Sequence, residues 1–195
     1  MSEARIPRLS QAEAREAAEA LGLPAMMADL SVFQVLLRHP KLAKALNDLL
    51  MTLLFGPKLD GRLRELVIMR LGWATDSDYE WTQHWRIARG VEISEEDLVA
   101  LRGDWRSHPG FSLADRAVLA ATDETLDTGV VSAATWAQCV EHVGGTEELL
   151  ELVVAIGHWR LYSSMLKTLE IPLEEGVASW PPDGKAPDGM WSCWA

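Results

Sequence analysis

Two stretches decide how this chain folds and what it could do: Arg62-Leu63-Arg64-Glu65, and Ser77-Asp78-Tyr79-Glu80-Trp81-Thr82-Gln83-His84. On an α-helix, residues three and four apart share a face, so Ser77, Glu80 and His84 line one stripe while Trp81 and Trp85 form a neighbouring one. Ser77 and Glu80 fall in the first turn, where the helix dipole favours negative charge, and His84 one turn later can hydrogen-bond to Glu80. Glu65, on the preceding helix, would bring a second carboxylate, and two acids competing for charge have their pKa values driven apart. That pattern suits an acid–base site. The bland alternative is a surface Glu/His pair beside core aromatics, Trp73, Tyr79, Trp81 and Trp85.

Outward from these stretches, apolar residues recur at three- and four-residue spacing and period-two runs are almost absent, so the fold class is all-α. Ser10-Gln11-Ala12-Glu13 is a capping box opening a helix that closes near Gly22. Pro40 suits the first turn of a helix to about Leu54, broken by Gly56-Pro57. Further helices are expected over 60–74, from the Thr75–Asp78 cap region to Arg89-Gly90, and from Ser94 to about Arg102. Ser112 caps another to about Asp127, Ser132 or Thr135 opens one to about Val143, and a long apolar helix runs over 147–169. The expected organisation is one helical domain over 1–172, with its core at about 40–170. The Pro- and Trp-rich tail, 173–195, should be non-helical, and its Trp180, Trp191 and Trp194 mark a contact surface.

At 195 residues and 48% hydrophobic the chain can bury a sizeable core. The net charge of −11 repels phosphate backbones and anionic membranes, so neither nucleic acid nor membrane is an expected partner. The polar N-terminus and the lack of a stretch of about 20 apolar residues point to a cytoplasmic protein. Two distant cysteines, Cys139 and Cys193, make neither a disulfide scaffold nor a zinc knuckle. A di-iron site would need Glu-x-x-His on two helices, whereas this chain has a single Glu-x-x-x-His, so no metal and no cofactor are expected. His158, in Ala155-Ile156-Gly157-His158-Trp159, is either a satisfied core histidine or a pocket-lining one.

The segment Leu59-Asp60-Gly61-Arg62-Leu63-Arg64-Glu65-Leu66-Val67, followed by Tyr79-Glu80-Trp81-Thr82-Gln83-His84, resembles the carboxymuconolactone decarboxylase family, within the alkylhydroperoxidase D-like superfamily. The resemblance covers about 40–170 and implies an all-helical homo-oligomer, a trimer or hexamer, with its site near subunit contacts. In the peroxidase branch a Glu precedes Cys-x-x-Cys and a His; laid on this chain, these fall on Glu65, Ser77, Glu80 and His84. Both redox cysteines are thus replaced, and neither serine nor glutamate can act as thiolate nucleophile or resolving thiol. The decarboxylase branch keeps a Glu four residues before a His, matched by Glu80 and His84.

The resemblance and the residues together imply a cofactor-free lyase or isomerase acting on a small carboxylated, lactone or enolisable substrate. His84 is the expected general acid–base, Glu80 its partner or the proton donor, and Glu65 the pKa-tuning relay. Tyr79, Trp81, Ser77 and His158 are expected to line the pocket. Arg62 is a candidate anion anchor, with a salt bridge to Asp60, Glu65 or another subunit as its alternative. A protein of another class, an oligomeric binding or assembly protein with a decayed centre, is the alternative reading.

Overall fold

The computed structural model describes residues 4–56 and 58–188. Its regular structure there consists of α-helices and two short 3-10 helices, at Ala25–Asp29 and Trp105–Ser107. The helices are α1 Gln11–Ala20, α2 Ser31–Leu36, α3 Pro40–Phe55, α4 Gly61–Ala74, α5 Asp78–Gly90, α6 Glu95–Ala100, α7 Leu113–Thr128, α8 Ala133–His142 and α9 Thr146–Thr168. No helix among the described residues is long and apolar enough to cross a membrane. The all-α expectation holds, with ends close to those expected from caps. The turn of 3-10 helix after Pro24 and the six-residue α2 went unanticipated, because each is too short for a periodic signal.

Two compact units make up the chain: Met1–Gly56 with Met165–Val177, and Pro57–Ser164 with Ala178–Ala195. In the first, the expected capping box at Ser10 and Glu13 starts α1, which buries Ala14 and Ala18. Gly22, at φ +66, ends it in the left-handed conformation that a side chain disfavours. Phe33, Val35 and Leu36 of α2 are buried, and the Ser31 amide donates to Glu174 at 2.8 Å.

The second unit is organised around α4, which packs against α5 and α7 and buries ten of its fourteen residues. A helix buried nearly all round cannot be amphipathic, and Arg64 and Glu65 are carried inside with it. Asp60 starts α4 by accepting from the Arg62 and Leu63 amides. The turn to α5 closes through the Ser77 amide donating to the Gly72 carbonyl at 2.8 Å. At Gly72 a Cβ would stand 3.1 Å from the Trp81 amide nitrogen and 3.4 Å from Glu80 Cβ, so this glycine lets the first turn of α5 close on α4.

The described part of the tail is non-helical, and from Ala178 on it belongs to this second unit. Ser179 donates to Asp78 at 2.5 Å, and the Trp180 amide donates to Thr82 Oγ1 at 3.1 Å. The Trp81 indole N–H donates to the Pro181 carbonyl at 2.8 Å. Arg102 bonds the same carbonyl and Asp183 while its guanidinium lies over the Trp73 and Trp81 rings. Trp180, 8% exposed, packs its ring edge-on against Trp73 at 5.6 Å. Trp191, Trp194 and Cys193 lie outside the described residues.

Two measurements check this packing. Gly72→Ala is expected to destabilise by about 1–3 kcal/mol, because the clash is with backbone and outweighs the ~1 kcal/mol that alanine gains in a helix. A denaturation midpoint at or above that of the unsubstituted protein would contradict it. Trp180→Ala should cost about 3–5 kcal/mol, read from the same unfolding curves.

Candidate functional site

Glu65 comes from the middle of α4, Glu80 from the first turn of α5 and His84 from the next turn, and the Gly72 contact sets the spacing between the two helices. The Glu65 side chain has no exposed surface. Its Oε2 lies 2.8 Å from His84 Nδ1, and its Oε1 accepts from Arg64 Nε at 3.2 Å. His84 Nε2 lies 3.7 Å from Glu80 Oε2, within ion-pair range but too long for a direct hydrogen bond. The Trp159 indole, from α9, donates to the same Nε2 at 3.3 Å. The three residues read from the sequence as the chemical group are therefore brought together in the interior.

Tryptophan can only donate, so its bond to Nε2 requires a lone pair there, with the proton on Nδ1 pointing to Glu65. That is neutral His84 in the tautomer of a base. A second proton, taken on Nε2, would face Glu80. Burial pushes Glu80 up from 4.5 to about 7, with His84 pulling it down and Glu65 pushing it further up. For His84, burial works against the charged form, but the charge and hydrogen bond of Glu65, with Glu80 adding, raise its pKa above the usual 6.5. Glu80 thus keeps its proton up to about 7, beside a histidine whose hold on a proton is strengthened.

The remaining sequence candidates divide. Ser77 is the N-cap of α5, yet its buried hydroxyl makes no cap bond and has no hydrogen-bond partner among the described residues. His158 is buried, with neither nitrogen hydrogen-bonded among the described residues, so it is not the satisfied core histidine that was one expectation. Tyr79 is buried on α5. Trp81 sits in the cluster with Trp73 and Trp180, its N–H committed to the tail.

Arg62, the candidate anion anchor, has its guanidinium paired with residues other than the Asp60 and Glu65 side chains named as its alternative. It reaches Asp97 at 3.2 Å, Asp115 at 3.3 Å and the Glu92 carbonyl at 3.3 Å. The physical reason is its position in the first turn of α4, where two acids from later helices converge on it.

Sequence reasoning missed Arg64 and Trp159. Adjacent residues do not face each other on a helix, so spacing gives no signal that Arg64 serves Glu65, which its long side chain nevertheless reaches. Trp159 left no signal beyond its place next to His158, because no pattern sets the register of α9 against α5.

This site is carried by an alkylhydroperoxidase D-like helical fold. A peroxidase-related protein of Ralstonia eutropha JMP134 with an alkylhydroperoxidase AhpD core is 17% identical over 90% of this chain and 94% of its own, with a TM-score of 0.72. The debrominase Bmp8, solved with 2,3,4-tribromopyrrole, is 15% identical over 87% and 91%, with a TM-score of 0.67. A protein of unknown function from Agrobacterium tumefaciens is 21% identical over 70% and 94%, with a TM-score of 0.62. At these identities the likeness is one of fold. Residues 40–124 match the model of the carboxymuconolactone decarboxylase family. Among curated proteins none matches the sequence significantly.

A carboxyl whose folded pKa is raised binds its proton more tightly folded than unfolded. Its contribution to stability is complete below 4.5 and is lost as pH rises toward about 7. His84 adds a loss of the same sign above 6.5, as pH rises through its raised value. Thermal melts should therefore show the unsubstituted protein losing stability relative to Glu80→Gln between about 4.5 and about 7. Parallel curves would contradict the assignment.

Proposed function

We propose that the chain is a cofactor-free acid–base catalyst, a lyase or isomerase acting on a small lactone, enolisable or carboxylated compound. The observation that carries this reading is the buried group in which Glu65 holds His84 by Nδ1 and leaves Nε2 facing Glu80. In the isomerase form, Nε2 gives up its hydrogen bond from Trp159 and takes a proton from the carbon next to a carbonyl, the electron pair moves into an enolate, and a proton is returned at another carbon. In the lyase form, the bond to a carboxylate breaks, carbon dioxide leaves with the pair going to the enolate, and the carbon is protonated. Glu80, protonated below about 7, is the proton donor in either case. Glu65 is a positioning residue that fixes the tautomer, and Arg64 holds Glu65. Ser77, Tyr79 and His158 are proposed pocket residues. The catalyst is proposed to work as a cytoplasmic homo-oligomer, a trimer or hexamer, on a small molecule alone.

Isomerisation of cyclohex-3-enone to cyclohex-2-enone, followed by absorbance, is a direct test. His84→Ala should lower the rate by about two orders of magnitude or more while sedimentation shows an unchanged assembly. Absence of turnover in the unsubstituted protein, with this ketone and with small lactones and carboxylated lactones alike, would favour the oligomeric binding or assembly protein instead.

Thiol peroxidase chemistry is not part of the proposal. Ser77 and Glu80 stand at the two cysteine positions, and burial pushes the Cys139 thiol up to about 11 while its Sγ contacts the Ala117 carbonyl at 3.6 Å. A thiol held protonated is a poor nucleophile. Peroxide turnover that Cys139→Ser abolishes would overturn this.

A further inference from the structure

Buried polar atoms in folded proteins almost always find a partner, and each one left without costs about 1–3 kcal/mol. Around the acid–base group several are left without one among the described residues. On α9 they are both ring nitrogens of His158, the Tyr162 hydroxyl and the Ser163 hydroxyl; on α5 there is Ser77 Oγ, one turn before Glu80. All four residues are at most 5% exposed.

Their arrangement is specific. His158 and Tyr162 lie one turn apart on α9, with ring centroids 4.6 Å apart. Trp159, whose indole stands 5.0 Å from the His158 ring, is the residue that hydrogen-bonds His84. Tyr162 is near enough to Glu80 for that carboxylate to raise the phenol's pKa, as burial also does. One helix therefore carries two unpaired polar rings alongside the residue that reaches the proposed base.

Both rings are uncharged. Burial lowers His158 to about 4, so at neutral pH its imidazole offers one donor and one acceptor, and Tyr162 remains a phenol able to donate. The cations that the fold brings to this group are matched already: Arg64 by Glu65, and His84, when protonated, by Glu65 and Glu80. Arg62, the other arginine of the motif, is held by Asp97 and Asp115. A substrate carboxylate would arrive as an extra buried negative charge beside Glu65 with its cations already matched, which is strongly unfavourable, whereas a carbonyl oxygen needs only the donors that stand unpaired.

We propose that Tyr162 and His158 form the substrate-recognition face of the site, hydrogen-bonding the oxygen of an uncharged carbonyl compound, a ketone or lactone, and that the site rejects carboxylated analogues. This rests on the acid–base reading for the identity of the pocket, and it narrows the substrate class from carboxylated or neutral to neutral.

The test separates binding from turnover. Cyclohex-2-enone is titrated into the full chain and followed by the NMR signals of the Trp159 indole N–H and the His158 ring, beside 3-oxocyclohex-1-ene-1-carboxylate, which has the same ring plus a carboxylate. The neutral ketone should give saturable shifts and the carboxylate none. Tyr162→Phe should weaken the ketone by about tenfold, the loss of one hydrogen bond in a buried site. The same variant should melt at a higher temperature than the unsubstituted protein when free, because it removes a buried hydroxyl that has no partner; a merely structural hydroxyl would give the opposite sign. His84→Ala should still bind the ketone, so lost turnover with retained binding would fault the acid–base reading alone. No saturable shift with the ketone, equal or tighter binding of the carboxylate, or a Tyr162→Phe variant that is less stable with unchanged ketone binding would each overturn the proposal.

Discussion

The hydrogen bond between Glu65 and His84, 2.8 Å long and sealed from water, is the interaction on which the rest of the site depends. An acid buried this deeply is tolerable only when its oxygens are engaged, and Arg64 and His84 engage one each. The bond decides which nitrogen of His84 faces Glu80, and hence whether the imidazole can work as a base there. Trp159 supports the same tautomer from the other side of the ring.

That bond in turn needs α4 and α5 to lie unusually close. Gly72 makes room, the Ser77 amide closes the intervening turn, and the tail residues Ser179–Asp183 bind Asp78, Thr82, Trp81 and Arg102 around the start of α5. The aromatic cluster of Trp73, Trp81 and Trp180 is thus a support for the helix that carries Glu80 and His84, and not a wall beside them. Charge has been partitioned as well. Arg62, Asp97, Asp115 and His108 pair with one another in their own network, while Arg64, Glu65, His84 and Glu80 pair among themselves.

The match of residues 40–124 to the carboxymuconolactone decarboxylase family model narrows the chemistry without fixing it. Fold neighbours that include a debrominase and a peroxidase-related protein share this helical frame at low identity, and what differs between such proteins is the set of side chains placed in it. In this chain Ser77 places a buried hydroxyl at the start of α5, and Glu80 carries a carboxyl that burial raises to about 7.

The longer helices and the candidate residues Glu65, Glu80 and His84 were legible from the residues alone, for local reasons. Capping oxygens at Ser10, Asp60, Ser94, Ser112 and Ser132, the Pro40 start and the Gly22 stop are short-range signals, and each acts within its own turn. Glu80 and His84 share a helix, so their spacing alone placed them on one face. Three things lay beyond any local pattern: the pairing of Arg62 with acids far along the chain, the service of Arg64 to its own neighbour, and the delivery of Trp159, His158 and Tyr162 by α9. Periodicity tells which residues of a helix point the same way, but not which helix they meet or in what register. That choice is made by packing, in this protein at the close approach of α4 to α5, and it turns three separately readable residues into one proton-sharing group.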